Sequence, residues 1–276
     1  MKIAVTGASG YVGGAIASAF RESGHEVLSL SRRTCPQPWQ HHSLGDDPAS
    51  IPWNNVHALI HAAHDFTAAN AAENHAHNIV PSVALFNAAA AAGVRHLIFI
   101  SSMSCFESCT SHYGKAKLAI EQQIARLNPT IVRPGLVWGG ETGGVMAALE
   151  NTALHLPVVP YLTGRNKLRQ YLVHQEDLTS NLVKIAGEAA PVESRVITAY
   201  HPHPQSLLEI LKTLAARHSK KRLFFPVPWQ FAMLGLKILE TLHIRPPFRS
   251  DSLQGLVFAN PSPPPPDNPD SYRPFR

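Results

Sequence analysis

The stretch VTGASGYVGGAIA, residues 5–17, decides how the rest of the chain is read. It closes a short apolar run, Lys2–Thr6, and opens a segment, Val12–Ser23, whose apolar residues recur at helical spacing until Gly24 stops them. Between the two, Gly7, Gly10 and Gly13 stand at three-residue intervals. Each glycine has a physical task in a loop of this kind. Gly7 permits the tight turn, Gly10 lets a pyrophosphate come against the backbone, and Gly13 lets the helix pack close to the sheet. Free N–H groups at the start of the helix then bind the phosphates. A glycine triplet alone is a weak signal, but one set between the first strand and the first helix is read as a dinucleotide loop. The residues expected to touch the dinucleotide here are Gly7, Ser9, Gly10, Tyr11, Val12 and Gly13.

Outward from the loop, the first half of the chain alternates. Val27–Leu30, Val56–Ile60, Leu97–Ser101 and Thr130–Arg133 are short apolar runs with the length of buried strands. Between them lie an alanine-rich helical stretch, Ala68–Ala92, expected to break near Pro81 and to end at Gly93, and a helix expected over Tyr113–Leu127. This alternation predicts an α/β fold, a Rossmann-type doubly wound parallel sheet, with a smaller C-terminal substrate-binding lobe. The expected division is residues 1–135 for the dinucleotide domain, with about 168–200 returning to it, and 136–260 mainly for the lobe. Turn signals crowd GGETGG (139–144), and WQFAMLGLKILETLH (229–243) is strongly apolar and expected to pack against the lobe. Residues 261–276, rich in proline, are expected to stay extended or disordered and to add nothing to a core.

Composition narrows the function. With 45% hydrophobic and 16% charged residues among 276, the chain suits a globular protein with a sizeable core. No apolar run approaches the roughly 20 residues of a membrane span, and the three-residue apolar start is too short for a signal peptide, so a cytoplasmic location is expected. Three cysteines do not make a disulfide framework, and Cys105 and Cys109 have no second pair to complete a zinc site. The net charge of +5 raises the question of nucleic acid, but only RHSKKR (217–222) is densely basic, and such a block reads as a solvated helix end. A modest basic excess suits an enzyme whose ligands carry phosphate. No nucleic-acid partner and no metal are expected, and no G-x-S-x-G elbow supports a serine hydrolase.

At the end of the second strand, where an NAD-binding fold carries an acidic residue for the ribose 2′-hydroxyl, the chain reads VLSLSRR. Arg32 and Arg33 are placed to meet a 2′-phosphate, so NADP is expected, with NAD as the alternative. Further along, SHYGKAK (111–117) sets Tyr113 and Lys117 four residues apart, hence on one face of a helix.

In order along the chain, TGASGYVGG, GDDPASI, LIHAAH, NIVPSVALFNAAAAAGVRHLIFISS, SHYGKAK, TIVRPGLVWG and YLVHQEDL resemble the extended or atypical short-chain dehydrogenases/reductases of the NAD-dependent epimerase/dehydratase family. The resemblance covers about the first 180 residues. It implies that Tyr113 carries the hydroxyl proton, that Lys117 lowers the phenol pKa and holds the cofactor ribose, and that Ser102 steadies the substrate oxygen, with Ser101 and Ser104 as alternatives. It places Asp46 (or Asp47) near the adenine, and His61, Ala62, Ala63, Asn78, Ser101, Lys117, Pro134 and Gly135 beside the cofactor. Gly114 is expected to keep the helix clear where it nears the cofactor.

The chain also departs from that pattern. Ser102 and Tyr113 are only eleven residues apart, a short loop that predicts a more open site. Met103 and Ser104 stand where the sugar dehydratases resemble one another in carrying an acidic pair, which argues against elimination of water. Arg249 is a candidate for binding a substrate diphosphate or, with equal weight, for capping a helix that begins near Ser250, and Arg169 stands one residue away from the arginine that sugar-nucleotide members carry; Ser102 and Met103 are the other substrate-contact candidates, and Arg245 and Asp251 lie in the same segment as Arg249. The expected function is an NAD(P)-dependent oxidoreductase or epimerase of a nucleotide sugar. A reductase of a small apolar carbonyl and a non-catalytic NADP sensor are the alternatives, and the resemblance leaves room for a homodimer.

Overall fold

The computed structural model describes residues 1–141, 143–164, 168–242, 244 and 249–276. Seven strands make one parallel sheet: β1 (Lys2–Thr6), β2 (Glu26–Ser31), β3 (Trp39–His41), β4 (Val56–His61), β5 (His96–Ile100), β6 (Thr130–Pro134) and β10 (Arg195–Ala199). Their spatial order is β10-β6-β5-β4-β1-β2-β3. The chain runs from β1 outward to β3, then returns with β4 to the other side of β1, so the order reverses between β1 and β4. That reversal opens a crevice beyond the C-terminal ends of these two strands, the usual ligand position in such sheets.

Alternation along each strand sorts side chains between the two faces. Ile3, Val5, Ala58, Ile60, Ile98 and Ile100 point to one face, where α1 (Tyr11–Glu22) and α6 (Gln175–Gly187) contribute Ile16, Phe20, Leu178 and Leu182. Ala4, Leu28, Leu59, Leu97 and Phe99 point to the other, where α3 (Val80–Ala91) and α4 (His112–Ile124) contribute Leu85, Phe86, Ile120 and Ile124. The alanine-rich stretch is not one helix. A short α2 (Ala71–Asn74) passes through a π turn, His75–Ile79, into α3. Pro81 stands in the first turn of α3, where it has no amide N–H to donate to the preceding turn, and the widened turn lies just before it.

The lobe has its own apolar cluster around Trp138, Met146, Leu172, Leu211 and Leu253. It is built from β7 (Leu136–Trp138) paired with β9 (Leu172–His174), β8 (Val158–Thr163) paired with β11 (Leu223–Pro228), and the helices α5 (Gly144–His155), α7 (Leu207–Arg217), α8 (Trp229–Thr241) and α9 (Ser250–Val257).

Two sequence expectations change. The proline-rich tail is part of the core: Tyr272 and Phe275 are buried. Thr198 Oγ1 donates to the Pro265 carbonyl, the Asp267 amide donates to the Thr198 carbonyl, and Arg273 pairs with Asp177 at 2.7 Å. Helix α8 packs only one side, through Trp229, Ala232, Met233 and Leu236, and has no fully buried residue. His243, expected in that helix, lies outside the described residues, as do Thr142 of GGETGG and Arg245.

Candidate active site

At the glycine loop, Gly7 has φ +69°, and a Cβ there would stand 3.0 Å from the Ala63 backbone, so the turn excludes any side chain. At Gly13 a Cβ would fall 2.3 Å from the Gly7 carbonyl oxygen, so helix and turn touch backbone to backbone. Helix α1 begins at Gly10 with no side-chain cap and no acidic residue in its first turn, which leaves its amide N–H groups facing outward uncapped among the described residues. A cleft of about 400 Å³ adjoins them, lined by Ala8, Ser9, Gly10, Gly14, Arg33, Thr34, Cys35 and Pro36. The Arg33 guanidinium reaches over this cleft and donates to the Ser9 carbonyl at 3.1 Å. Uncapped amides, an arginine and no carboxylate in the lining fit the phosphates of a dinucleotide.

The catalytic candidates meet at the C-terminal ends of β4 and β5. Tyr113 lies at the start of α4 and Ser102 just after β5, where the serine hydroxyl accepts from the Ser104 amide at 3.1 Å and lies near enough to the phenol to act on its titration. Burial pushes the Tyr113 phenol up to about 12, while the nearby Ser102 hydroxyl works in the opposite direction. Lys117, one helical turn on, is 2% exposed. Its ammonium donates to the Ile100 carbonyl at 2.8 Å and sits 5.8 Å from the Tyr113 ring centre. Removal from water lowers the Lys117 pKa to about 8. The tyrosine ring is walled by His64, edge-on at 4.9 Å, and Phe66, stacked at 5.7 Å. Burial first, then the charges of Lys117 and His61, hold the His64 imidazole well below its usual range, so it is neutral at pH 7.

The start of α4 is held from several sides. Ser111 caps it through its hydroxyl, which accepts from the Gly114 amide at 3.1 Å. The next two amides, of His112 and Tyr113, donate to the Asp251 carboxylate of α9 at 2.7 and 3.1 Å. Three of the four free N–H groups at the start of α4 thus have acceptors, two of them supplied by the lobe. Below, Glu121 is buried and receives both Arg133, in a two-point ion pair, and the Ser101 hydroxyl at 2.5 Å.

Residues 3–197 match the NAD dependent epimerase/dehydratase family. The chain belongs to this family. A curated relative, the ceramide reductase of Caulobacter vibrioides, is 29% identical over 193 residues, 66% of this chain. The chain spans 59% of that relative's length. Among solved structures of similar fold, UDP-N-acetylglucosamine 4-epimerase from Bacillus cereus shares 16% identity at a TM-score of 0.69, covering 83% of this chain and 85% of that one. UDP-glucose 4-epimerase of Thermus thermophilus, solved with NAD, shares 18% at 0.70, covering 93% and 98%.

Within this family member, the candidate residues are placed as follows. Ser102, Tyr113 and Lys117 come together; Ala62 and Ala63 lie against the glycine loop, and the Thr6 hydroxyl accepts from both of their amides at 3.2 and 3.3 Å. Tyr11 donates to the Gly139 carbonyl at 2.8 Å, tying the glycine loop to the lobe. Val12 packs on the core, and Arg32 is exposed. Asp46 accepts from the Ser43 amide, and Asp47 caps a short 3₁₀ turn at Pro48–Ser50. The Met103 amide donates to the Pro134 carbonyl at 3.1 Å.

Several expected side chains are engaged elsewhere. His61 is fully buried between Thr6 and Ser82, at 2.7 and 2.8 Å, so its ring is an element of the core. Ser101 is spent on Glu121. Asn78 is fully buried and clamps the Asp65 backbone through both amide atoms, which holds His64 and Phe66 in place. At Gly114 a Cβ would meet the Ser104 carbonyl at 2.3 Å, and at Gly135 the Tyr171 carbonyl at 2.5 Å, so both glycines serve close backbone packing within the protein. Arg249 donates to the Phe66 carbonyl at 2.6 Å, while Arg169 is exposed. Asp251, Phe66 and Glu121 were not expected at the site. Only Asp251, two residues beyond Arg249, carried any signal.

Proposed function

We propose that this family member is an NADP-dependent oxidoreductase that reduces a carbonyl group, with Tyr113 as proton donor. The observation that carries the reading is the grouping of Ser102 and Tyr113 beside a buried Lys117, at the same C-terminal edge of the sheet as the glycine loop. The cofactor, when bound, supplies the hydride to the carbonyl carbon. As the electron pair moves onto oxygen, that oxygen takes the Tyr113 proton, and Ser102 donates a hydrogen bond to the developing alkoxide. The phenolate left behind is stabilised by the Lys117 ammonium and regains its proton from solvent.

NADP is favoured over NAD because the lining of the cleft contains Arg33 and no carboxylate. Arg33→Ala should weaken NADP binding by roughly ten- to a hundredfold, as expected for one charge-assisted bond, and leave NAD binding nearly unchanged. Equal losses for both would speak against the 2′-phosphate contact.

An apolar carbonyl substrate is favoured by the aromatic wall of His64 and Phe66 around Tyr113, by Arg249 being tied to the Phe66 carbonyl, and by the name of the ceramide reductase relative. A nucleotide sugar, turned over by oxidation and re-reduction, is the second reading, and the solved structures of similar fold named for UDP-sugar epimerases support it. A thermal-shift screen separates them: UDP- and dTDP-sugars stabilise the protein only under the second. Tyr113→Phe should abolish turnover while NADP(H) still binds. Undiminished turnover in that variant overturns the mechanism.

A further inference from the structure

Helix α8 is apolar on both sides, and a helix of that kind belongs in a core or against another apolar phase. One side packs on the lobe through Trp229, Ala232, Met233 and Leu236. On the opposite side Phe231, Leu234, Ile238 and Leu242 recur at three- and four-residue steps, and they are 68%, 58%, 50% and 64% exposed. Just before the helix, Leu223 and Phe225 of β11 alternate outward at 72% and 60% exposure. Six large apolar side chains concentrated on one strand–helix unit exceed the scattered apolar exposure normal for a monomer.

The charge along the sequence of this unit is one-sided. Residues 217–242 contain Arg217, Lys220, Lys221, Arg222 and Lys237 against a single carboxylate, Glu240. That carboxylate is occupied at the start of α9, where it accepts from the Ser250 amide and hydroxyl at 2.9 and 2.6 Å. Lys220, Lys221 and Lys237 are exposed and form no ion pair among the described residues. An apolar stripe that has one exposed lysine, Lys237, on its own helix and two more, Lys220 and Lys221, just before the adjoining strand has the composition of an interfacial helix lying in the headgroup region of an anionic bilayer. No helix among the described residues is long and apolar enough to cross a membrane.

We propose that the β11–α8 unit docks this protein on an anionic lipid surface, with Phe231, Leu234, Ile238 and Leu242 inserted among the acyl chains and Lys220, Lys221 and Lys237 over the headgroups. The proposal does not depend on which substrate the active site takes. It concerns where the enzyme works.

Co-sedimentation of the full chain with vesicles tests it. Binding is expected to phosphatidylcholine vesicles containing phosphatidylglycerol, with much weaker binding to phosphatidylcholine alone and loss in high salt. Lys220→Gln with Lys221→Gln should weaken binding about fivefold per lysine. The double variant Phe231→Ser, Ile238→Ser should abolish it while the melting transition is kept. The lysine variant decides the matter should the apolar one fail to fold. Absence of binding to either vesicle overturns the proposal. So does binding untouched by both variants, or a concentration-dependent dimer in sedimentation velocity that the Phe231→Ser, Ile238→Ser variant dissolves, which would make a second copy of the chain the occupant.

Discussion

Replacing Lys117 by Met should change how stability depends on pH. Lys117 is 2% exposed, and its pKa falls from 10.5 to about 8 because burial penalises the ammonium. Below about pH 8 the lysine is charged in both folded and unfolded chains, and the folded protein bears the full cost of keeping that charge from water. Between about 8 and 10.5 the unfolded chain holds a proton that the folded chain has released, so stability rises with pH. At about 1.4 kcal/mol for each pH decade, the gain over the whole window is about 3 kcal/mol. Methionine has similar length and no charge, so its variant lacks this term. The measurement is urea unfolding of both proteins without cofactor, in steps from neutral to alkaline pH. Tyr113 and Cys105, both pushed up to about 12 by burial, also titrate in alkali, but they are present in both proteins and cancel to first order in the difference. Wild-type minus variant stability should be constant up to about pH 8 and then climb. A flat or falling difference would show that Lys117 is not held as a costly buried cation, and the argument that its charge is reserved for a phenolate would go with it.

Other perturbations test neighbouring parts of the reasoning. Asp251→Ala removes the acceptor of two α4 amides and should cost about 2 kcal/mol in chemical denaturation, with Asp251→Asn recovering part; unchanged stability would mean that water replaces the carboxylate freely. Gly13→Ala places a methyl 2.3 Å from a backbone oxygen and should cost about 1–3 kcal/mol along with most dinucleotide affinity, read by melting and by NADP(H) titration; retention of both would refute the close packing. Tyr272→Ala should destabilise by about 3 kcal/mol or more if the tail is core, and by almost nothing if it is only draped on the surface.

The dinucleotide half was legible because its signals are local. Strands buried on both faces appear as unbroken apolar runs, and a glycine loop between a strand and a helix has few other uses. Strand β3, only Trp39–His41, has too few residues to show a period. The lobe depends on pairings between distant segments, β7 with β9 and β8 with β11, which no local pattern announces. The tail was misread for a different reason. Proline-rich composition does disfavour a core, but prolines fixed in extended geometry lose little entropy on docking, and their carbonyls remain free to accept from Thr198 and Tyr200. For His61 and Ser101 the direction of the side chain, and for Gly114 and Gly135 the backbone that each one faces, is set by neighbours remote in sequence.

The short loop between Ser102 and Tyr113 shows how such a neighbour changes a conclusion. Eleven residues between two catalytic candidates suggest a site with one wall missing. Yet the loop turns back so tightly that the Ser104 carbonyl occupies the place of a Gly114 side chain. The phenol side is closed from β4 instead, by His64 and Phe66, whose loop Asn78 holds by its backbone. From the lobe, Arg249 grips the Phe66 carbonyl and Asp251 grips the first turn of α4. Two residues of one segment of the lobe thus fix both the wall and the helix that carry the tyrosine. Displacement of this segment would move Phe66 relative to Tyr113 and loosen the helix start together. Variants at Asp251 should therefore lower turnover through misplacement of Tyr113, with little effect on dinucleotide affinity, which the phosphate contacts at the glycine loop are expected to carry.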